Sequence, residues 1–301
     1  MKVTDNIGRG FACLPGPVRA AFWLVCASAS FLLMMSLARR LSGDIDMLVI
    51  VFWRALFGVM FMLPWLARNG LGVMRTTKIK GHMMRTLMAY GGMLCMFYAA
   101  TMMPLADITS IAFARPMLAS MLAIMILGEP MLARRWGATA VGLIGALIII
   151  RPGIIELNVG IWVVIGAVVI NSGFAVMAKY LLRTDAPDTT ALYMTTFLTP
   201  LALVPALFVW QWPTLDQFMW LLLFGALGMI SQRTLVRAYH AADATLVLSF
   251  DFLKLPLAAL IGFVLFSEFP DFWVWAGGGV ICASAVYITR REARLGTGTS
   301  A

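Results

Sequence analysis

The chain has 301 residues, of which 61% are apolar and only 12% charged, and its mean hydropathy is +0.90. Soluble domains run near half apolar and a quarter charged, so this composition excludes a water-soluble globular protein and points to an integral membrane one. The formal net charge of +9 would suggest nucleic acid in a soluble chain; here its carriers sort by membrane side, and no nucleic-acid partner is expected.

The first apolar run, 20–37, follows Lys2, Arg9 and Arg19 and contains Ala27-Ser28-Ala29, which superficially resembles a cleavable signal peptide. The run is nearly span-length and further apolar runs continue along the chain, so it reads as a first transmembrane helix. A hydrocarbon core about 30 Å thick takes about 20 helical residues. Runs of that kind fall at 18–38, 46–67, 82–102, 104–127, 134–151, 160–182, 189–210, 216–239, 243–266 and 271–290. The expected fold is therefore all-α, with ten transmembrane helices. The short tails 1–17 and 293–301 flank two halves, 18–153 and 154–292, and no soluble domain fits in what remains.

Basic residues orient these helices. One side collects Lys2, Arg9, Arg19, Arg68, Arg75, Lys78, Lys80, Arg85, Arg134, Arg135, Lys179, Arg183, Arg233, Arg237, Arg290, Arg291 and Arg294, whereas the other holds only Arg39, Arg40 and Arg151. Both termini are thus expected in the cytoplasm. Three basic residues are left inside expected helices: Arg54, Arg115 and Lys254.

The two halves also repeat. Arg115 precedes Glu129 by 14 residues, and Lys254 precedes Glu268 by the same 14. A proline, Pro116 or Pro256, follows each basic residue closely, and a glycine-rich helix follows each glutamate. Five helices per half is an odd number, so the second half enters the membrane inverted, the architecture by which many secondary transporters alternate access.

Phe52-Trp53-Arg54, the Tyr98 to Pro104 and Asp107 junction, Arg115-Pro116, Gly128-Glu129-Pro130 and Ser267-Glu268-Phe269-Pro270, taken in order, resemble the drug/metabolite transporter superfamily, specifically its EamA-type ten-helix members. The resemblance covers nearly the whole chain. It implies two five-helix repeats around a central cavity and a multi-pass protein of the bacterial inner membrane. It implies a secondary transporter of small organic metabolites, with export of amino acids or related compounds as the first expectation. Uptake of a vitamin or nucleoside-like compound, of riboflavin or S-adenosylmethionine type, is the second. A membrane-embedded transferase is disfavoured because no His/Asp/Glu cluster gathers on one membrane side. The second copy departs by having Ser267 where the first has Gly128, and Lys254-Leu255-Pro256 where the first has Arg115-Pro116.

An unpaired charge inside a helix costs at least about 2.5 to 3.5 kcal/mol on the insertion scale, so embedded charges need a partner, a cavity or a ligand. Arg54 reads as an anion anchor, or as an ion pair with Asp44, Asp46 or a nearby carbonyl. Arg115 and Lys254 are expected near mid-helix, where the adjoining prolines act as hinges and free a carbonyl for protein, water or ligand. Asp251 is three residues from Lys254, and such a pair either switches partners during coupling, with protons as the candidate ion, or stays a fixed bridge. Glu129 and Glu268 are expected to cap the helix that follows each, and Asp107 and Asp243 to cap their own. Trp53, Tyr90 and Tyr98 are placed to stack on a planar or cationic solute or to pack the core. Asn171 and Gln232 should face the interior rather than lipid.

Only two histidines, His82 and His240, and four scattered cysteines, Cys13, Cys26, Cys95 and Cys282, argue against a metal site, a disulfide framework or a histidine relay. No catalytic residue, metal or cofactor is expected. The expected partners are a small-molecule substrate and the lipid bilayer, with the chain acting as a monomer or homodimer.

Overall fold

A computed structural model of the chain describes residues 14–100, 102, 111–112, 114–129, 133–150, 159–266 and 272–296. Local chemistry sets the helix ends. Pro17 lies in the first turn of α1 (Gly16–Leu41), where a missing N–H would be unpaired anyway. Asp46 accepts from the Leu48 N–H at 2.8 Å and so starts α2 (Met47–Asn69), which Gly70 ends with φ 74°. Then follow α3 (Ile79–Ala100), α4 (Arg115–Leu127), α5 (Ala133–Ile150), α6 (Val159–Leu181) and α7 (Pro187–Phe208). A reciprocal Thr214–Gln217 capping box opens α8 (Leu215–Ala241). The remaining helices are α9 (Ala244–Ser249), α10 (Lys254–Phe266) and α11 (Phe272–Gly296), with a 3-10 turn at Asp251–Leu253 between α9 and α10.

All described elements are helical. Seven helical segments are long and apolar enough to cross a membrane among the described residues. Arg115–Leu127 and Arg135–Ile148 are shorter apolar helices; the expected fourth span began at 104, and residues 103–110 lie outside the described residues. The helix α3 carries Lys80, His82 and Arg85 in its first two turns, which lowers its hydropathy. The expected ninth span is not one continuous helix, because the chain breaks at Phe250 and passes through the 3-10 turn before α10. At 27 residues, α8 is about 40 Å long, more than a 30 Å hydrocarbon core requires.

Packing between the halves is reciprocal. The helix α1 packs on α8, α3 on α6, α2 on α7, α4 on α9 and α5 on α11. Numbering each half from one to five, its first helix meets the third of the other half, its second the second, its fourth the fourth and its fifth the fifth. Two apolar clusters fill the interior, one around Leu24, Val236 and Phe250, the other around Ile50, Phe57 and Phe224. Leu63, Leu87, Ile126, Val204 and Val264 are each half or more exposed, which suits contact with lipid tails and not with water.

The starts of α1, α3 and α9 and the ends of α4, α6 and α8 lie together. Gly16 approaches Ala241, Gly81 approaches Leu181, Arg183 donates to the Leu127 carbonyl, and Glu129 meets Ala244. This end of the bundle is called the basic face, after the arginines and lysines gathered there.

Candidate functional site

Arg54, seven residues into α2, lies against α8 and α1. A Cβ at Gly228 would stand 2.8 Å from Arg54 Nε and 3.2 Å from Met34 Sδ, so only glycine leaves room for this side chain. Asp46 is engaged at the α2 cap instead of pairing with Arg54. Arg54 has no hydrogen bond or ion pair among the described residues, so the expected structural pair is not formed there. Next to it, Trp53 stacks on Phe57 at 5.3 Å and meets Phe218 and Trp210 at 5.6 and 6.2 Å. The indole is thus packed among aromatic rings, yet its Nε1 has no hydrogen-bond partner.

Two further groups share this condition. Tyr90 of α3 is buried with its hydroxyl unpartnered, and Gln232 of α8 is buried with its Nε2 unpartnered. Gln232 is one helical turn along α8 from Gly228 and so shares its stripe. Asn171 of α6 lies over Gly92 of α3, where an added Cβ would be 2.7 Å from its Oδ1; it faces the inter-repeat packing, as expected of a polar group in a span. Tyr98 is separated from Tyr90 and is 54% exposed on α3.

Deeper toward the basic face, Asp251 holds two cations. Its carboxylate is 3.3 Å from Arg115 Nη2 and in direct contact with Lys254 Nζ. Sequence spacing paired Asp251 with Lys254 alone; the fold adds Arg115 from the other half. Ser172 donates to the Arg115 carbonyl at 3.3 Å. Neither basic residue is mid-helix, because each begins a helix: Arg115 starts α4 and Lys254 starts α10. Pro116 and Pro256 therefore occupy first turns, where proline removes no intrahelical bond. The interruption each marks lies before the basic residue. Arg115 is still about 18 Å from the end of α4 at the basic face, near the middle of a 30 Å core.

The basic face is tied across the halves by polar bonds. Glu129 accepts from the Ala244 and Thr245 N–H groups, both at 3.1 Å. Among the described residues it caps α9 of the other half, because α9 starts beside the end of α4. Asp243 occupies the α9 N-cap position but makes no side-chain cap bond. It pairs instead with Arg135 at 2.9 Å, and Arg135 also donates to Thr245 Oγ1 at 2.8 Å. Asp107 and Glu268, the other two expected caps, lie outside the described residues.

Four more links join the α2–α3 segment to α7 and the turn before it. Thr76 donates to Asp185 Oδ2 at 2.6 Å. His82 Nε2 is 2.6 Å from the same oxygen, and must be the donor because a carboxylate only accepts. Thr189 donates to the Val73 carbonyl at 2.9 Å and Tyr193 to that of Met74 at 2.5 Å. Burial pulls the Asp185 carboxyl upward, but hydrogen bonds from Thr76, His82 and Thr184 outweigh it and hold it below the usual carboxylate range.

Sequence reasoning missed Arg85, which counted there only as a topology signal. It is 1% exposed and among the largest fully buried side chains. The missed signal was its position inside the expected span 82–102, where a cation is by default a functional candidate.

The EamA-like transporter family matches this chain twice, over residues 18–151 and 158–290. The chain is 30% identical to a riboflavin transporter of Vibrio cholerae serotype O1, covering 92% of this chain and 95% of the relative. It is 26% identical to an S-adenosylmethionine uptake transporter of Rickettsia bellii, over 89% and 91%, and 26% identical to a pseudopaline exporter of Pseudomonas aeruginosa, over 89% and 95%. A solved crystal structure matches the fold with a TM-score of 0.77 at 16% identity, covering 92% of this chain and 97% of that one. These matches also place the chain in the inner membrane as a multi-pass protein. The chain belongs to the EamA-like transporter family of the drug/metabolite transporter superfamily.

Proposed function

We propose that this protein is not an enzyme but a secondary transporter that imports a flavin- or nucleoside-like metabolite by alternating access. Its ten helices, in two inverted repeats, rock about a midplane site with the basic face in the cytoplasm. The carrying observation is that three buried donors on helices of both halves have no partner among the described residues: Trp53 Nε1, Tyr90 Oη and Gln232 Nε2. A buried polar group left unpaired costs about 1 to 3 kcal/mol. A flat heterocycle edged with carbonyls and ring nitrogens supplies the missing acceptors; Arg54 lies where α2 meets α8, and Asn171 where α6 meets α3. Relatives that carry riboflavin and S-adenosylmethionine point to the same solute shape.

Arg115, Asp251 and Lys254 form the coupling unit of this reading. Protonation of Asp251, or a ligand that attracts either cation, breaks the three-way contact and loosens α4 against α10. The helix starts at Pro116 and Pro256 are its hinges. One relative is a pseudopaline exporter, so direction is tested separately from solute class.

Purified protein in liposomes, screened for counterflow of labelled riboflavin, S-adenosylmethionine and amino acids, tests the proposal. Saturable counterflow of a flavin or nucleoside compound is expected. Exchange of amino acids alone overturns the solute class, and accumulation of a covalently altered product overturns transport itself. Uptake against efflux in intact cells then decides direction.

A further inference from the structure

The Arg85 guanidinium is buried, and its nearest neighbours fix it in one pose. Its Cζ lies over the Phe174 ring, 4.6 Å from the centroid, and Nη1 donates to the Thr190 carbonyl at 3.4 Å. Nε and Nη2 have no partner. These two nitrogens share one edge of the guanidinium, and their N–H bonds point the same way, as the two donors of a fork.

Unlike Arg54, several other interior cations have carboxylate partners. Arg115 and Lys254 share Asp251, Arg135 faces Asp243, and Arg233 and Arg237 share Asp188. Arg85 meets no carboxylate among the described residues. Two free parallel donors on a buried positive charge match two oxygens of one anionic group, and a neutral acceptor would leave the charge uncompensated. Arg54 lies against Gly228 and Met34, whereas Arg85 lies against Phe174 and Thr190, so the two are separate anchors.

We propose that the Nε/Nη2 edge of Arg85 is an anion subsite on the translocation path, and that the solute is a planar compound bearing a carboxylate or phosphate. The solute class rests on the transport reading above; the fork does not. Arg54 receives the solute and Arg85 takes its anionic group nearer the basic face.

The test compares neutral riboflavin, riboflavin 5′-phosphate and S-adenosylmethionine in proteoliposomes, using wild-type protein, R85K and R85Q, each checked for monodispersity and melting temperature. Wild type is expected to prefer an anionic probe. R85K keeps the charge but loses the fork, and should raise KM for that probe about tenfold or more with a smaller change in kcat. The rise for riboflavin should be about threefold at most. An unchanged KM for the anionic probe in a folded R85K or R85Q protein overturns the subsite, as does wild-type transport of neutral riboflavin alone. If wild type exchanges only amino acids, the solute reading falls and the fork is tested by the same variants on an amino acid against its decarboxylated amine. Equal effects on both then overturn the subsite. Should both variants fail to fold, the wild-type melting temperature decides: riboflavin 5′-phosphate must raise it more than riboflavin does.

Discussion

Glu129 accepts a hydrogen bond from the Ala244 N–H at 3.1 Å, although 115 positions separate the two residues. The first half thus supplies the cap for a helix of the second. Because α9 is only six residues long, the N–H groups of its first turn, which lack intrahelical partners, are a large share of its backbone, and the carboxylate satisfies two of them.

Losing that cap should destabilise the protein more than losing the neighbouring ion pair. E129A is expected to lower stability by about 1 to 2 kcal/mol. D243N, whose carboxylate is partly exposed beside Arg135, should have a smaller effect, under about 1 kcal/mol. Thermal melts of the two variants in one detergent check the order, and a D243N effect equal to that of E129A would contradict it.

Asp251 neutralises two cations at once, so D251N should cost about 3 kcal/mol or more by leaving buried charge behind. Adding K254M to D251N removes one of the stranded charges and should recover part of the melting temperature. The same double variant should remain inactive if the three-way contact couples transport. A pH profile for D251N identical to that of wild type would remove Asp251 from any coupling role.

Asp185 ties the start of α3 to the turn before α7, and its carboxyl ionises below its unfolded value. Its contribution is therefore fully present above about pH 4 and is lost as pH falls through the folded value. Melting temperatures measured downward from pH 6 should drop more steeply for wild type than for D185N. Parallel curves would show that the contact carries no linked proton.

Gly228 leaves the space that Arg54 occupies. G228A places a methyl group 2.8 Å from Arg54 Nε and should push the flexible arginine aside without unfolding the bundle. The expected result is a KM increase of about tenfold with a melting temperature near wild type. A normal KM would mean that Arg54 contributes nothing to solute binding.

The linear pattern alone determined membrane residence, helical class, the duplicated halves and three embedded charges, Arg54, Arg115 and Lys254. Each follows from short-range physics: apolar length against bilayer thickness, and the expense of a charge in hydrocarbon. Caps were legible as residue types but not as pairs, since Glu129 caps the helix expected of Asp243, and Asp243 pairs with Arg135 instead. Arg85 was visible only as one more basic residue near a helix end. What the tertiary structure decided was partnership. Asp251 gained Arg115, Glu129 reached α9, and Arg54 and two nitrogens of Arg85 were left without partners among the described residues. Those outcomes depend on how helices from opposite halves approach one another, and spacing along a single helix carries no information about that approach.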